Sequence, residues 1–395
     1  MSQRLERTIE QFVAERVQRE CILMPSGRIA VYCALRTFLS RGDALLMSPN
    51  NDDVILFIVL AAGLRPVAAP ISPLDGNIDV DAVTHDTWRQ VKGVLTTNLY
   101  GLPDRVEALR DKCAEHGIPL IEDAAHAIQT EVNGRPIGTF GTAAAFSLSK
   151  HVDAYQGGIL AVADAGARAG LIRMRDQLVI ARSARRRFAD AAKPPIRALL
   201  ETVGVLGALR RRRESATQAN PDRTTGHRME LRATELAAAV ATGPGLDPFE
   251  SWTRVDKHAY RVNFSDRDLN FILERLRGMP ADRERRIAMV ERIRKELAWL
   301  IAPGARDGPA VPLFRIPLLV ADRESIRIEL ARQRVWLHYI YDPPLDDYAG
   351  PEYVTPSTAP LGARWWARHT LPINPLTADQ AIATLRGAAR APLFG

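Results

Sequence analysis

Lys150 ends the run Ala143-Ala144-Ala145-Phe146-Ser147-Leu148-Ser149-Lys150, with Gly157-Gly158 soon after, so its amine is released at the mouth of what reads as a buried strand. A second apolar run, Ile118-Pro119-Leu120-Ile121, leads into Glu122-Asp123-Ala124-Ala125-His126 and delivers a carboxylate in the same way. Parallel strands of an α/β sheet gather strand-end residues into one crevice, which gives the amine and the carboxylate a shared pocket. Pyridoxal phosphate needs this pair: a lysine to form the Schiff base, and an Asp that keeps the pyridine nitrogen protonated so that the ring can accept electrons. A free lysine is protonated at neutral pH, so a useful one must be desolvated or lie near another positive charge. Each residue alone also has an ordinary reading. Lys150 is then a strand-end lysine reaching solvent, Asp123 a helix N-cap, and His126 a partly buried structural histidine.

The elements that must position these groups alternate along the chain. After an amphipathic N-terminal pattern, Cys21-Ile22-Leu23-Met24 gives way to Pro25-Ser26-Gly27-Arg28 and then to a helical pattern through Ile29, Val31, Tyr32 and Leu35. A capping Ser and a Gly before a helix expose backbone N–H groups where an anion can sit, although any capped helix looks similar. Strand-like stretches at 44–48, 66–71, 91–97, 118–122 and 143–149 are separated by helical ones at 54–63 and 103–116, which predicts an α/β fold with a mostly parallel sheet covered by helices. Beyond Gly243-Pro244-Gly245-Leu246 come long charged helices, including 278–300. They lead to a smaller C-terminal domain with strands at 313–320 and 335–341 and helices at 323–333 and 377–389. The expected domains are therefore 1–245, carrying a basic helical insertion at about 171–216, and 246–395.

With 395 residues and 46% hydrophobic content, the chain can bury a large core. Three cysteines are too few and too scattered for a disulfide framework or a thiolate metal cage, which fits a reducing cytoplasm. The opening residues mix charges and lack the apolar stretch of a secretory signal. The longest apolar run, 54–63, is too short to span a bilayer, so no transmembrane helix is expected. Residues 171–216 hold twelve Arg or Lys against four Asp or Glu, an excess larger than the whole net charge of +7. The stretch 185–213 reads as a solvated surface hairpin, or as a helix resting on an anionic membrane; nucleic acid is not expected as a partner. Asp123, His126 and His151 lack a metal-ligand spacing such as His-Glu-x-x-His, and no metal is expected.

The block Ile121-Glu122-Asp123-Ala124-Ala125-His126-Ala127, followed by Gly134-Arg135-Pro136-Ile137-Gly138-Thr139-Phe140-Gly141, closely resembles the DegT/StrS family of sugar aminotransferases. Ser26-Gly27-Arg28 stands where that family has a phosphate-binding Ser-Gly-Thr, and Asn98-Leu99-Tyr100-Gly101 is similar to its His-Leu-Tyr-Gly strand end. Leu371-Pro372-Ile373-Asn374-Pro375-Leu376-Thr377 resembles its C-terminal signature. The resemblance implies the fold-type-I architecture of pyridoxal phosphate enzymes, similar to aspartate aminotransferase. It also implies a homodimer with shared active sites, and transfer of an amino group from glutamate or glutamine to a keto sugar, nucleotide-linked or not, or to a related small ketone. Lys150 then carries the cofactor aldehyde and shuttles protons, Asp123 partners the pyridinium nitrogen, His126 lies beside the phenolic oxygen, and Ser26, Gly27, Arg28 and Ser147 hold the phosphate.

Three departures from the pattern stand out. Phe146-Ser147-Leu148-Ser149-Lys150 is two residues more compact than the family's spacing. Pro49-Asn50-Asn51-Asp52-Asp53 lacks the aromatic residue that stacks on the ring, leaving Asn51 or Asp52 to cover it. Glu230-Leu231-Arg232 aligns with a family Asn-Tyr-Arg that reaches across the dimer to the phosphate. A carboxylate there would repel the anion, so Arg228 or Arg232 is the expected donor. His338 and Tyr339 border the substrate entrance by the same resemblance. Alternative readings are a pyridoxal phosphate lyase, dehydratase or carbon–carbon bond-forming enzyme, and a pseudoenzyme that binds partners through its basic segment.

Overall fold

A computed structural model describes residues 2–182, 228–255, 260–333 and 335–394. The chain opens with α1 (Ser2–Val17), β1 (Glu20–Met24), α2 (Gly27–Phe38), β2 (Ala44–Met47), α3 (Asp53–Ala61) and β3 (Arg65–Ala68). There follow α4 (His85–Gln90), β4 (Gly93–Thr96), α5 (Val106–His116) and β5 (Leu120–Asp123). A short hairpin of β6 (Glu131–Val132) and β7 (Arg135–Pro136) precedes β8 (Ala143–Ser147), β9 (Gly158–Val162) and α6 (Arg168–Leu178). Seven strands form one sheet in the order β1-β9-β8-β5-β4-β2-β3. The run β3-β2-β4-β5-β8 is parallel throughout, and β9 lies antiparallel between β8 and β1. The expected α/β class is the observed one, and β2 to β5 and β8 fall on the predicted runs.

Small side chains explain the centre of the sheet. Ala143 and Ala145 of β8 join the core on the α2 and α3 side, while Ala144 and Phe146 join the core on the α1 side. Alanine on a strand lets a helix backbone approach closely, which is how α2 comes to pack across β8 and β9. Helix α3, apolar almost all round, is buried in that first core.

The division of packing differs from the expected boundary at 245. Phe249, Trp252 and Tyr260 belong to the α2–α3 core, and Leu269 through Met279 supply the α1 core. From Met289 onward the long helix Met279–Leu297 turns its apolar face to a C-terminal core, around β10 (Ile316–Leu319) and β11 (Thr370–Ile373). Packing therefore changes hands inside that helix. The expected strand at 335–341 forms no ladder. Tyr339 has a left-handed backbone (φ +68°), which breaks the pleat and turns the segment inward. Most of the basic stretch, 183–227, lies outside the described residues; α6 precedes it. Among the described residues, no helix is long and apolar enough to cross a membrane, and no His, Cys, Asp and Glu cluster is placed to hold a metal.

Candidate active site

The C-terminal ends of β2, β4, β5 and β8 open on a cavity of about 320 Å³. Its lining includes Asn51 and Asp52 after β2, Thr97 after β4, Asp123 at the end of β5, and Ser147 and Lys150 at the end of β8. Ser26, Gly27 and Arg28 enter at the start of α2, and Tyr339 and Tyr341 from the C-terminal part. A crevice outside the carboxyl ends of parallel strands is where α/β sheets bind ligands.

Each wall is built by local structure. Ser26 has extended backbone geometry, and its Oγ accepts from Ile29 N (3.3 Å), so it caps α2 where that helix begins at the cavity. The turn is held tight against its neighbours. A Cβ on Gly27 would sit 3.2 Å from the Ser147 Cβ, and one on Gly158 would sit 2.5 Å from Gly27 N. Ser147 Oγ and Ser149 Oγ are 3.0 Å apart at the same end. Beneath them, buried Glu122 accepts from Gly138 N (2.7 Å), Phe140 N (2.8 Å) and Gly141 N (2.6 Å). The central sequence block is thus a carboxylate on β5 gripping its own glycine turn, which sets the register of the strand that carries Asp123. Asn98, in left-handed geometry, donates from Nδ2 to the Asp123 carbonyl (3.1 Å) and fixes the adjoining strand end.

Electrostatics separate the groups. Burial pushes the Asp123 carboxyl up to about 7, opposed by a hydrogen bond from Ala125 N and by the charge of Lys150. His126 is held well below the ordinary imidazole value by burial and by the charges of Lys150 and Arg315, so it is neutral at physiological pH. Its ring stacks on Phe314 (4.6 Å between centroids) and meets Tyr339 edge-on at 5.4 Å. Lys150 Nζ lies 3.9 Å from the Tyr339 ring centroid and 5.8 Å from that of Phe314. Burial and neighbouring Asp52 raise the Asp53 carboxyl, which accepts from Met229 N (2.8 Å) while Arg228 opposes the shift.

Of the residues singled out in the sequence, Ser26, Gly27, Arg28, Asn51, Asp123, His126, Ser147, Lys150 and Tyr339 line the one cavity. Arg28 also donates to the Thr253 carbonyl (2.9 Å). Arg228 stands behind the wall, with Nη1 donating to Asn51 O (2.6 Å) and Nε to Pro343 O (2.8 Å). Arg232 is turned elsewhere: it pairs with Glu235 (3.0 Å) at the start of the helix Ala233–Thr242 and covers the Trp252 ring. Glu230 is exposed, and His338 does not line the cavity. Sequence reasoning passed over Thr97, Tyr341, Phe314 and Arg315. Thr97 follows a strand end and was open to the same argument as Asp123; Phe314 and Arg315 come from a distant segment with no local signal.

Against this geometry, residues 1–193 match the model of the DegT/DnrJ/EryC1/StrS aminotransferase family. That stretch is similar to the family, and it makes up a little under half of the chain. Over 138 residues the chain is 31% identical to a GDP-perosamine synthase of Vibrio cholerae, a match spanning 34% of this chain and 38% of that protein. The chain spans well under half the length of the curated relatives it matches. In three dimensions the likeness to the DegT/DnrJ/EryC1/StrS fold extends much further. A DegT DnrJ EryC1 StrS aminotransferase from Brucella abortus superposes with a TM-score of 0.66 at 17% identity, covering 97% of this chain and 90% of the other. The Escherichia coli GDP-4-keto-6-deoxy-D-mannose-3-dehydratase, solved with hydrated pyridoxal phosphate, gives 0.65 at 16% identity, with coverage of 97% and 90%. The fold is therefore shared with these structures, sheet and C-terminal part together.

Proposed function

We propose that this chain is a pyridoxal phosphate-dependent aminotransferase that moves an amino group from an amino acid, glutamate or glutamine, to a keto sugar or related small ketone. One observation carries the reading: Lys150, buried Asp123 and the capped start of α2 line a single cavity. Residues and cofactor fit. The α2 N-terminus, Gly27 and Ser147 form an anion seat whose backbone is too tight for a further Cβ, while Asp123 and Lys150 supply the acid and the amine. When bound, pyridoxal phosphate supplies an electron-poor ring that stabilises negative charge at the substrate carbon.

This chain's own groups do the rest. Asp123 would partner the ring nitrogen and, ionised, hold a proton there. Neutral His126, stacked on Phe314, would lie beside the phenolic oxygen without adding charge. Lys150 Nζ would take the proton from the substrate carbon and return it. The sugar assignment rests on the named activities of the partial relatives, among them a dTDP-4-dehydro-2,3,6-trideoxy-D-glucose 4-aminotransferase of Saccharopolyspora spinosa. A cytoplasmic homodimer completes the proposal, with Arg228 and Arg232 in the intrachain contacts described above. The test is a half-reaction: cofactor-loaded protein mixed with glutamate and no acceptor releases one keto acid per site if the reading holds. Water loss from a deoxysugar substrate without any keto acid release would instead make it a dehydratase.

A further inference from the structure

His151 follows Lys150 directly, is buried, and lies behind the cavity rather than in its lining. Strands β5 and β8 are paired as far as Asp123 and Ala145, with one further bond from Ala124 N to Ala145 O (2.9 Å). Past that point the two segments part, one toward His126 and the other toward Lys150. His151 rejoins them. Its Nε2 lies 2.7 Å from the His126 carbonyl oxygen, and a carbonyl can only accept, so Nε2 carries the ring proton and donates.

That bond fixes the tautomer and makes Nδ1 an acceptor, which is buried and meets no hydrogen-bond partner among the described residues. An unmatched buried acceptor costs stability, and an apolar ring would fill the same space without that cost. What the imidazole offers in return is the donor on its other nitrogen. Burial and the charges of Arg286, Arg315 and Arg16 hold the ring well below the ordinary imidazole value, against the bond to His126, so it stays neutral and keeps this tautomer at physiological pH.

The receiving carbonyl is crowded. A Cβ on Gly101 would sit 2.8 Å from His126 O, and Gly101 O in turn accepts from Thr130 Oγ1 (3.0 Å). The segments that follow β4, β5 and β8 therefore meet at this one oxygen. Phe314 serves both imidazoles, with its ring centroid 4.6 Å from that of His126 and 5.5 Å from that of His151. We propose that His151 is a positioning residue that acts through His126: its Nε2–H holds the His126 carbonyl and so sets the His126 ring against Phe314 in the cavity wall. A side chain locked by packing and by a hydrogen bond from behind keeps its place when a ligand enters. The use of that ring beside the cofactor rests on the proposed function; its positioning does not.

The experiment is nuclear magnetic resonance of the full chain, with histidine labelled with carbon-13 at Cε1 and the His126 signal assigned by its loss in H126Q. Stacking on Phe314 should displace the wild-type His126 signal upfield through the ring current. H151L removes the donor and should lose that displacement, whereas H151Q, whose amide reaches the same oxygen, should keep it. H151N fills the site with an amide too short to reach and should behave as H151L does, which serves if the leucine variant does not fold; circular dichroism checks each. A His126 signal at the wild-type place in folded H151L or H151N would overturn the proposal and leave His151 as core filling. Added pyridoxal phosphate should then move the His126 signal of wild type. The variant pattern without any response to pyridoxal phosphate would keep the positioning role and discard the cofactor reading of the site.

Discussion

The residue that most distinguishes this pocket from a polar surface cleft is Asp123, because it is buried with a raised carboxyl. Its folded value, about 7, lies above the ordinary 3.8. The folded chain therefore keeps a proton that the unfolded chain has already released, and stability falls as pH rises through that window. Asp123→Asn removes the ionisation. In cofactor-free protein this variant should melt a few degrees above wild type at about pH 8 and at the same temperature near pH 4, where both side chains are neutral. Thermal melts of the two proteins across that range check it; equal melting at both ends would mean that Asp123 is solvated. At this scale the sequence was most legible where a reacting group closes a strand, as Asp123 and Lys150 do. It was least legible where the chemistry depends on a neighbour distant in sequence: nothing near Lys150 announces Tyr339 and Arg315, which arrive from beyond residue 300 and are recognised only by the ring and charge they share in space.

Among elements, the start of α2 carries the sharpest claim. In the proposed site its N–H groups would meet the phosphate, because Gly27 and Gly158 let two backbones approach more closely than side chains allow. Ser147→Ala removes a hydroxyl at that seat, and Gly27→Ala forces the turn off Ser147. Each should weaken binding of pyridoxal phosphate by about tenfold, as expected for loss of one charge-assisted hydrogen bond, while leaving the affinity for unphosphorylated pyridoxal nearly unchanged. Fluorescence titration with both compounds checks this, and equal losses for the two would place the phosphate elsewhere. The sheet elements followed from their apolar runs because buried parallel strands carry that pattern locally. The stretch 335–341 carries the same apolar alternation but folds otherwise, since the Tyr100 hydrogen bond to the Tyr339 carbonyl, a contact across 239 positions, overrides local strand preference.

For the whole molecule, the site draws on the strand ends of the main sheet and on Tyr339 and Tyr341 from the C-terminal part. A ligand that bridges these parts stabilises both through mass action. Saturating pyridoxal phosphate should raise the melting temperature of wild type clearly and that of Lys150→Ala much less, measured by differential scanning calorimetry. Sedimentation should give twice the 43.7 kDa chain mass if sites are shared between two copies. A monomer would confine Arg232 to its observed pairing with Glu235. The domain boundary illustrates why whole-molecule organisation was harder to read than local elements. The glycines and proline at 243–245 do mark a turn, yet the helices that follow return to the main cores, and apolar pattern alone does not say which core a helix will join.

The central claim is that the Lys150 side chain is the amine that holds the cofactor. The most direct measurement is peptide mass spectrometry after incubation with pyridoxal phosphate and reduction with borohydride. The account predicts a stable phosphopyridoxyl mass on the peptide containing Lys150 and none in the Lys150→Ala variant. Wild-type protein that stays unmodified at Lys150, or that carries the label only on another lysine, would contradict it.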